Sequence, residues 1–465
     1  MRFLRPRRIL LFLKLTSVLA MLWLLAILSC SDEEWDSNFR LGYRWFEYAD
    51  DDGSPEATCN CSAILQGDSR AVEQAKILSI TRAFRKNVLL SDEHYIKAAQ
   101  DCREFKLSRR YITFPLSQEE EDFPIAYSLV VHHKVQNFER LLRAIYAPQN
   151  LYCVHVDKKA KDSVVAAITA IMSCFPNTFM VSRTEDVIYG AWPRVQADLN
   201  CMADLYNMRK KWKYFINLCG QDFPLKTNLE IVRQLRSLNG ANSLESEQMP
   251  AGKVWRVASV CQILDGRLEV TQTPKGPPPF NMPILSGNAY IVVNRGFIRT
   301  VLKDKRVQAL LEWSKDTYSP DEFIWATIQR IPGVPGSTWP SPKYDMTDIN
   351  AIARLVKWDG HEGSRSSMQA VYPACEGTHV RSVCVYGSGD LQWMLEQHHL
   401  FANKFDIDMD PLAVYCLEKY LRKKALSELQ YMYERFITAT KDAIKFNPLF
   451  IQEDFISRVI VSLLF

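Results

Sequence analysis

The chain has 465 residues, 47% of them hydrophobic and 24% charged, with 57 Lys+Arg against 53 Asp+Glu for a formal net charge of +4. These values exclude low-complexity, collagen-like and wholly disordered chains, and the small, dispersed positive balance offers no concentrated basic face for nucleic acid. Twelve cysteines without a CxxC or Cys/His cluster point away from zinc and toward disulfides in an oxidising compartment. The length allows about three domains, or one large α/β domain with additions.

Ile9 to Cys30 is apolar apart from Lys14 and small hydroxyl residues, long enough for a span of about 20 residues. Arg2, Arg5, Arg7 and Arg8 precede it, and Asp32, Glu33 and Glu34 follow. The positive-inside rule then keeps the N-terminus in the cytosol and sends the rest across. An uncleaved type II anchor is expected, with a cleaved signal peptide as the alternative. Asn60-Cys61-Ser62 is a lone N-glycosylation sequon and agrees with a lumenal body.

Residues 31 to about 120 read as a stem, acidic at first and with a helical stretch from Ala71 to Phe84. From Pro124 the pattern changes. Short apolar runs at Ile125–Val131, Leu151–Val156, Thr178–Val181 and Lys213–Leu218 predict buried strands. Between them, Phe138, Leu141, Leu142 and Ile145, then Val164, Ile168 and Ile171, then Val195, Leu199, Met202 and Leu205 fall at helical spacing. Strand and helix alternate with short links, the signature of βαβ units and a parallel sheet. Thr227-x-x-Glu230 is a capping box. Residues 245–283 read as a long loop, Ile284–Val293 as an interrupted strand, and helices are expected around 306–314 and 320–330. Residues 340–405 are loop-rich, and an apolar tail runs from Phe446 to Phe465.

Open parallel sheets bind ligands at the carboxyl ends of their strands. Those ends here are Val131-His132-His133, Asp157-Lys158-Lys159, the loop to Tyr189, and Cys219-Gly220-Gln221-Asp222, a polar rim suited to a nucleotide. With neither GxGxxG nor a Walker A sequence, phosphate binding must come from elsewhere. The strand Lys213–Leu218 is followed by Asp222 alone and no DxD. The nearest acidic alternative, Asp406-x-Asp408-x-Asp410, reads as a solvated turn. Ser319-Pro320-Asp321-Glu322 reads locally as a helix start, with proline at the first position and Glu322 completing a capping box.

At Pro124-Ile-Ala-Tyr-Ser128, Arg140-Leu-Leu-Arg-Ala-Ile-Tyr146, Tyr152-Cys-Val-His-Val-Asp157, Gln196-Ala-Asp-Leu-Asn-Cys201 and Asn217-Leu-Cys-Gly-Gln-Asp-Phe-Pro224 the chain resembles the β-1,6-N-acetylglucosaminyltransferases that branch O-glycans, the core 2 family. Asp316-Thr-Tyr-Ser-Pro-Asp-Glu322, Arg354-Leu-Val-Lys-Trp358, His379-Val-Arg-Ser-Val-Cys384 and Ala402-Asn-Lys-Phe-Asp406 continue the resemblance, which covers roughly 58–425. Gly360-His361-Glu362-Gly363 is most similar to the mucin-type member, known for core 2 and core 4 branches. The resemblance implies a GT-A-type fold (a Rossmann-like, mixed βαβ sheet) in a single-pass type II Golgi membrane protein. Its parts would be a cytoplasmic tail at 1–8, an anchor at 9–30, a stem and N-terminal lumenal segment at 31–120, a catalytic domain at 121–430 and an extension at 431–465. It implies inverting transfer of GlcNAc from UDP-GlcNAc to the 6-hydroxyl of GalNAc or GlcNAc in mucin-type O-glycans, with no metal and no cofactor. A donor such as UDP-xylose, or a non-catalytic membrane-tethered glycan-binding protein, remains the alternative, and a homodimer stays open.

By the same resemblance Glu322 is the base. Arg381 and Lys404 take the place of a metal at the UDP phosphates. Val130, Val131, His132, Asp157, Lys158, Lys159 and Tyr189 contact the nucleotide, and Glu245, Lys253, Arg256 and Trp358 contact the acceptor. One departure is Gly360, where the leukocyte-type enzyme has tyrosine; a roomier acceptor site is expected there. The implied disulfides are Cys61–Cys416, Cys102–Cys174, Cys153–Cys201 and Cys375–Cys384. Cys219 is left free near the site, and Cys30, Cys59 and Cys261 have no assigned partner.

Overall fold

The computed structural model describes residues 54–337, 351–363 and 371–446, with side chains of the last helix described through 428. The chain divides into two units, Met1–Ala57 and Thr58–Phe465. Of the first, residues 54–57 alone are described, and they enter a 3-10 turn, Pro55–Thr58. The expected tail, anchor and Cys30 at 1–30, and the apolar tail beyond 446, lie outside the described residues. Among the described residues no helix is long and apolar enough to cross a membrane.

Strands covered on both faces read as continuous apolar runs, and the four predicted runs become β1 (Ile125–Val131), β2 (Leu151–Val156), β3 (Thr178–Met180) and β4 (Tyr214–Cys219). Every residue of β1 and β2 is buried. The helices Val135–Ile145, Asp162–Ser173 and Pro193–Asn207 connect them as expected. There follow β5 (Asp222–Pro224), β6 (Glu247–Gln248), β7 (Ser259–Leu264), β8 (Arg267–Pro274), β9 (Leu285–Ser286) and β10 (Val292–Asn294). The main sheet has the order β10-β4-β1-β2-β3. β1 to β4 are parallel, and β10 adds an antiparallel edge. The chain moves outward from β1 to β3, then returns to the other side of β1. That reversal creates a switch point between the carboxyl ends of β1 and β4. At Gly220, just past β4, an added Cβ would lie 3.2 Å from the Val131 side chain, so the two strand ends meet closely there.

Further on come β11 (Arg354–Val356), β12 (Thr378–Val380), β13 (Val383–Val385) and β14 (Phe401–Asn403). A second sheet, β11-β14-β5, starts immediately beyond the switch point. Thr227 makes both halves of its capping box and opens the helix Asn228–Ser237.

Helices from Cys61–Leu65 to Gln118–Glu121 belong to the same compact unit as the sheet. The stretch at 71–84 is two helices, Ser69–Ile80 and Arg82–Val88. The loop expected at 245–283 contains a 3-10 turn, Ala251–Val257, and the β7–β8 hairpin. The sequence reading also missed a long final helix, Pro411–Phe446. All four expected disulfides are present. Cys61–Cys416 ties the first helix of this unit to the last, and Cys375–Cys384 closes the β12–β13 hairpin.

Glu139, fully buried on Val135–Ile145, receives hydrogen bonds from Arg109 and an ion pair from Arg143. Burial alone would raise its carboxyl, but Arg109, Arg143 and Arg140 outweigh it and hold the group down at about 2. The stabilisation is therefore present above about pH 4.3, the unfolded value, and is lost as the pH falls toward 2. Glu139→Gln should destabilise the protein by about 3–5 kcal/mol at neutral pH, since it leaves buried guanidinium groups uncompensated. Urea unfolding at pH 7 checks this; a loss below about 1 kcal/mol would show that the cluster contributes little.

Candidate active site

Lys404 and Arg381 reach the switch point by different routes. β14 pairs with β5 in the register Asn403↔Asp222. The buried Asp222 carboxylate accepts from Cys219 N (2.6 Å) and Asn403 Nδ2 (2.8 Å) and pairs with Arg354 (3.2 Å). Phe405 N donates to Gln221 O (2.7 Å), so Lys404, lying between Asn403 and Phe405, is held beside the end of β4. The donor in the Phe405 bond is its backbone amide. The Lys404 ammonium is half-buried, and burial lowers its pKa. Arg381 sits at the tip of β12–β13. Arg381 and Ser382 fill both central turn positions with φ 53° and 62°, the left-handed geometry of a primed turn. Neither is the glycine or asparagine that adopts it readily, and the cost is roughly 1–2 kcal/mol per residue. The hairpin disulfide and the Asp359 N–H to Ser382 O bond (3.0 Å) oppose that cost. The exposed Arg381 guanidinium lies 4.8 Å from the Tyr189 ring centroid.

The expected nucleotide rim is assembled beside them. Val130 and Val131 are buried, and their carbonyls accept from Gly220 N and Asp157 N. His132 is part exposed and part covered, and stacks on His133 with 3.8 Å between centroids. Its imidazole is held down at about 4, first by partial burial and then by His133, so it is neutral at physiological pH. Asp157 is buried at the end of β2 and accepts from Lys159 N (3.0 Å). Lys159 Nζ meets Asp186 (2.7 Å) and Asp157 (3.4 Å). Lys158 is exposed.

On the other side stands Glu322. The capping box expected at Ser319 does not form: Ser319 has φ 45° and makes no side-chain cap bond. The Glu322 side chain is instead turned outward, 34% exposed, to an ion pair with Arg256. Tyr318 N donates to Arg256 O (3.0 Å) and Gly287 N donates to Glu322 O (2.8 Å). Lys253 Nζ reaches Ser286 Oγ (3.2 Å). A Cβ on Gly287 would lie 2.5 Å from Glu245 O, so Glu245 backs onto the same turn. Trp358, 38% exposed, bridges to Val383 beside the Arg381 turn. At Gly360 an added Cβ would meet nothing within 4 Å, which leaves the space expected there open.

Shared electrostatic neighbours link the groups to one another. Arg381 acts on His132, on Tyr189 and on Lys404. Tyr189 also feels Tyr318, Glu322 and Asp321. Tyr189 thus neighbours both Glu322 and Arg381, and Arg381 in turn neighbours Lys404.

The acidic alternative for a metal is engaged elsewhere. Asp406 and Asp408 both pair with Lys134. Asp410 caps the last helix through Leu412 N and Ala413 N, and accepts from Ser79 and Ser388. The Cys219 thiol accepts from Asn403 Nδ2 (3.2 Å) and Tyr290 OH (3.7 Å), and burial pushes it up to about 11.

The sequence reading passed over the buried support beneath Glu322. Asp198 accepts from Ser128 Oγ (2.9 Å), Arg194 Nη1 (2.7 Å) and Asn217 Nδ2 (2.9 Å). Asp321 and Arg194 are electrostatic neighbours above this cluster. Asp198 and Asn217 were legible as polar residues within otherwise apolar elements; Asp321 was hidden by its reading as a helix start.

These residues lie within a recognised sequence family. Residues 125–395 match the family model "Core-2/I-Branching enzyme". The chain belongs to that family. It is 53% identical over 378 residues to a β-1,3-galactosyl-O-glycosyl-glycoprotein β-1,6-N-acetylglucosaminyltransferase of Homo sapiens, covering 81% of this chain and 88% of the relative. A second Homo sapiens relative of that name, numbered 3, is 53% identical over 367 residues, covering 79% and 83%. A relative of the same name from Bovine herpesvirus 4 is also 53% identical over 367 residues.

Asp321 offers a test of the buried site. Burial first and Glu322 second push its carboxyl up to about 6. A raised acid binds its proton more tightly folded than unfolded, so Asp321 costs stability above about pH 6, and the cost disappears as the pH falls below about 4. Asp321→Asn should therefore be more favourable, relative to wild type, at pH 7.5 than at pH 4, by up to about 3 kcal/mol. Urea unfolding at both pH values decides it; an unchanged difference would show that Asp321 titrates normally.

Proposed function

We propose that this chain is an inverting β-1,6-N-acetylglucosaminyltransferase. It takes GlcNAc from UDP-GlcNAc, without a metal, to the 6-hydroxyl of GalNAc or GlcNAc in mucin-type O-glycans. The product is the core 2 branch, with core 4 and I branches as further products that the open space at Gly360 favours. In this reading the mixed sheet is a GT-A-type fold carried by a type II Golgi membrane protein, with its catalytic unit in the lumen. The relatives' names support the activity. The exposed Asn60 and the four disulfides support the compartment.

The observation that carries the reading is that Tyr189 neighbours both Glu322 and Arg381, and that Arg381 neighbours Lys404. UDP lies with its base toward His132 and Asp157 and its diphosphate toward Arg381 and Lys404. The guanidinium offers a fork and the ammonium a point charge. The acceptor sugar lies against Lys253, Arg256, Glu245 and Trp358. Glu322 takes the proton of the 6-hydroxyl as that oxygen bonds to C1. The bond from C1 to the β-phosphate oxygen breaks, its electron pair leaves with UDP, and the two cations stabilise the charge that develops there. Attack opposite the leaving group inverts C1. The linkage of all three charged groups through Tyr189 and Arg381 favours this over a glycan-binding protein without turnover.

Glu322→Gln should lower kcat by about 10²–10⁴ while UDP binding persists, measured by transfer to a core 1 acceptor and by calorimetry. Substantial remaining turnover would remove Glu322 as the base. Wild-type enzyme should keep its full rate in EDTA; a requirement for added Mn²⁺ would sink the cationic mechanism.

A further inference from the structure

The stretch Gly360-His361-Glu362-Gly363 carries an acidic residue to which the transfer chemistry gives no part. Glu362 follows the 3-10 turn Asp359–His361, and its side chain is 8% exposed. Its backbone is held against the returning chain. Glu362 bridges to Tyr372, Gly363 N donates to Tyr372 O (3.1 Å) and Val371 N donates to His361 O (2.8 Å). From that base the carboxylate reaches the β12–β13 hairpin twice. Oε2 accepts from Cys375 N (2.8 Å), at the disulfide that closes the hairpin, and Oε1 meets His379 Nε2 at 2.9 Å.

The two strands of that hairpin are supported differently. β13 is tied along its outer edge to residues 357–359. Cys384 N donates to Lys357 O (2.9 Å), and Trp358 bridges to Val383. Among the described residues β12 pairs with β13 alone. A two-stranded hairpin is marginal by itself. His379 lies on β12, opposite Cys384 and two residues before Arg381. The Glu362–His379 bond therefore ties the outer strand back to the segment that already holds the inner one, immediately before the turn residue with φ 53°.

We propose that Glu362 is a positioning residue for Arg381: acting through His379, its carboxylate fixes the outer strand of the hairpin and so the point from which the guanidinium meets a diphosphate. The proposal rests on the reading of Arg381 as a phosphate contact. A guanidinium on a loose strand loses backbone and side-chain freedom when an anion arrives, and that loss is subtracted from binding. With β12 tied at Cys375 and at His379, the strand is ordered before the anion binds. A carboxylate suits the task because both of its oxygens accept, one for an amide N–H and one for an imidazole N–H.

The test measures UDP affinity by calorimetry, without acceptor, for wild type, Glu362→Ala, Glu362→Gln, His379→Ala and Arg381→Ala, and for Glu362→Ala and His379→Ala each combined with Arg381→Ala. Glu362→Ala and His379→Ala should each weaken UDP about five- to tenfold. Glu362→Gln, whose amide can accept from Cys375 N and donate to a neutral His379, should recover most of the loss. In the Arg381→Ala background neither alanine should weaken UDP further. In steady state the UDP-GlcNAc KM should rise by the same factor while the acceptor KM stays unchanged. If Glu362→Ala fails to fold, His379→Ala, at a side chain 39% exposed, carries the same cycle. Unchanged UDP affinity, a loss that adds to that of Arg381→Ala, or a rise confined to the acceptor KM would overturn the proposal. Arg381→Ala alone separates it from the reading beneath. If that variant binds UDP as wild type does, Arg381 is no phosphate contact and both fall; if it binds weakly while Glu362→Ala and His379→Ala bind normally, the phosphate contact stands and the positioning role fails.

Discussion

The antiparallel joint between β5 and β14 sets the geometry of the anion side. It is only three residues long, yet it fixes Asn403 opposite Asp222 and so fixes Lys404 beside the end of β4. The joint is held by a carboxylate, not by its length. Asp222 sits fully buried between Cys219 N, Asn403 Nδ2 and Arg354. A buried charge with one partner would be costly, and this one is matched by a guanidinium and by two neutral donors. Arg354 is itself buried, donates to Asn217 O (2.7 Å) and lies over Tyr290 and Phe401. This carboxylate joins the two sheets, and the positive charge it positions is Lys404.

The core of the fold was legible because it follows one-dimensional rules. Ile125–Val131 and Leu151–Val156 match β1 and β2 residue for residue, since strands buried on both faces need unbroken apolar runs. The helices between them were legible by their spacing. What was not legible depends on distant partners. β5, β11 and β14 have three residues each, and nothing in Asp222–Pro224 predicts pairing with Phe401–Asn403. The β7–β8 hairpin was missed because its side chains are mostly exposed and lack the alternation that marks a half-buried strand. The helices at 61–121 looked like a stem because each is short and weakly patterned; their order comes from packing on the sheet and from disulfides that join residues up to 355 apart.

The site was legible as a set of residues but not as a shape. The words around Glu322, Arg381 and Lys404 named the right places, while local rules misjudged Glu322. Ser319-Pro320-Asp321-Glu322 meets every compositional condition for a capping box. The box fails because Ser319 N is drawn to Gly190 O (2.7 Å) and takes a left-handed conformation, so its hydroxyl does not cap. That single backbone bond ties the Glu322 turn to the residue after Tyr189. It frees the carboxylate from its structural role and sets it facing the aromatic ring that borders the cations.

Strain is concentrated where the charges are presented. Ser319 next to the Glu322 turn, and Arg381 and Ser382 at the hairpin tip, are non-glycine residues with positive φ. Such conformations persist only when surrounding structure over-determines them. At Arg381 the disulfide, the two-stranded ladder and the bridge from Trp358 to Val383 do so. A glycine turn would be easier to form but would carry no guanidinium, and a longer loop would let the guanidinium wander. Holding a cation on a short strained turn limits the motion that an arriving diphosphate would otherwise have to arrest, which is the condition under which fixed side chains can take over the electrostatic part of a metal ion. Glu322 is held by the same logic from the opposite wall. Both strained turns are tied to the segment at Tyr189, one by the Arg381 guanidinium over its ring and the other by Ser319 N donating to Gly190 O.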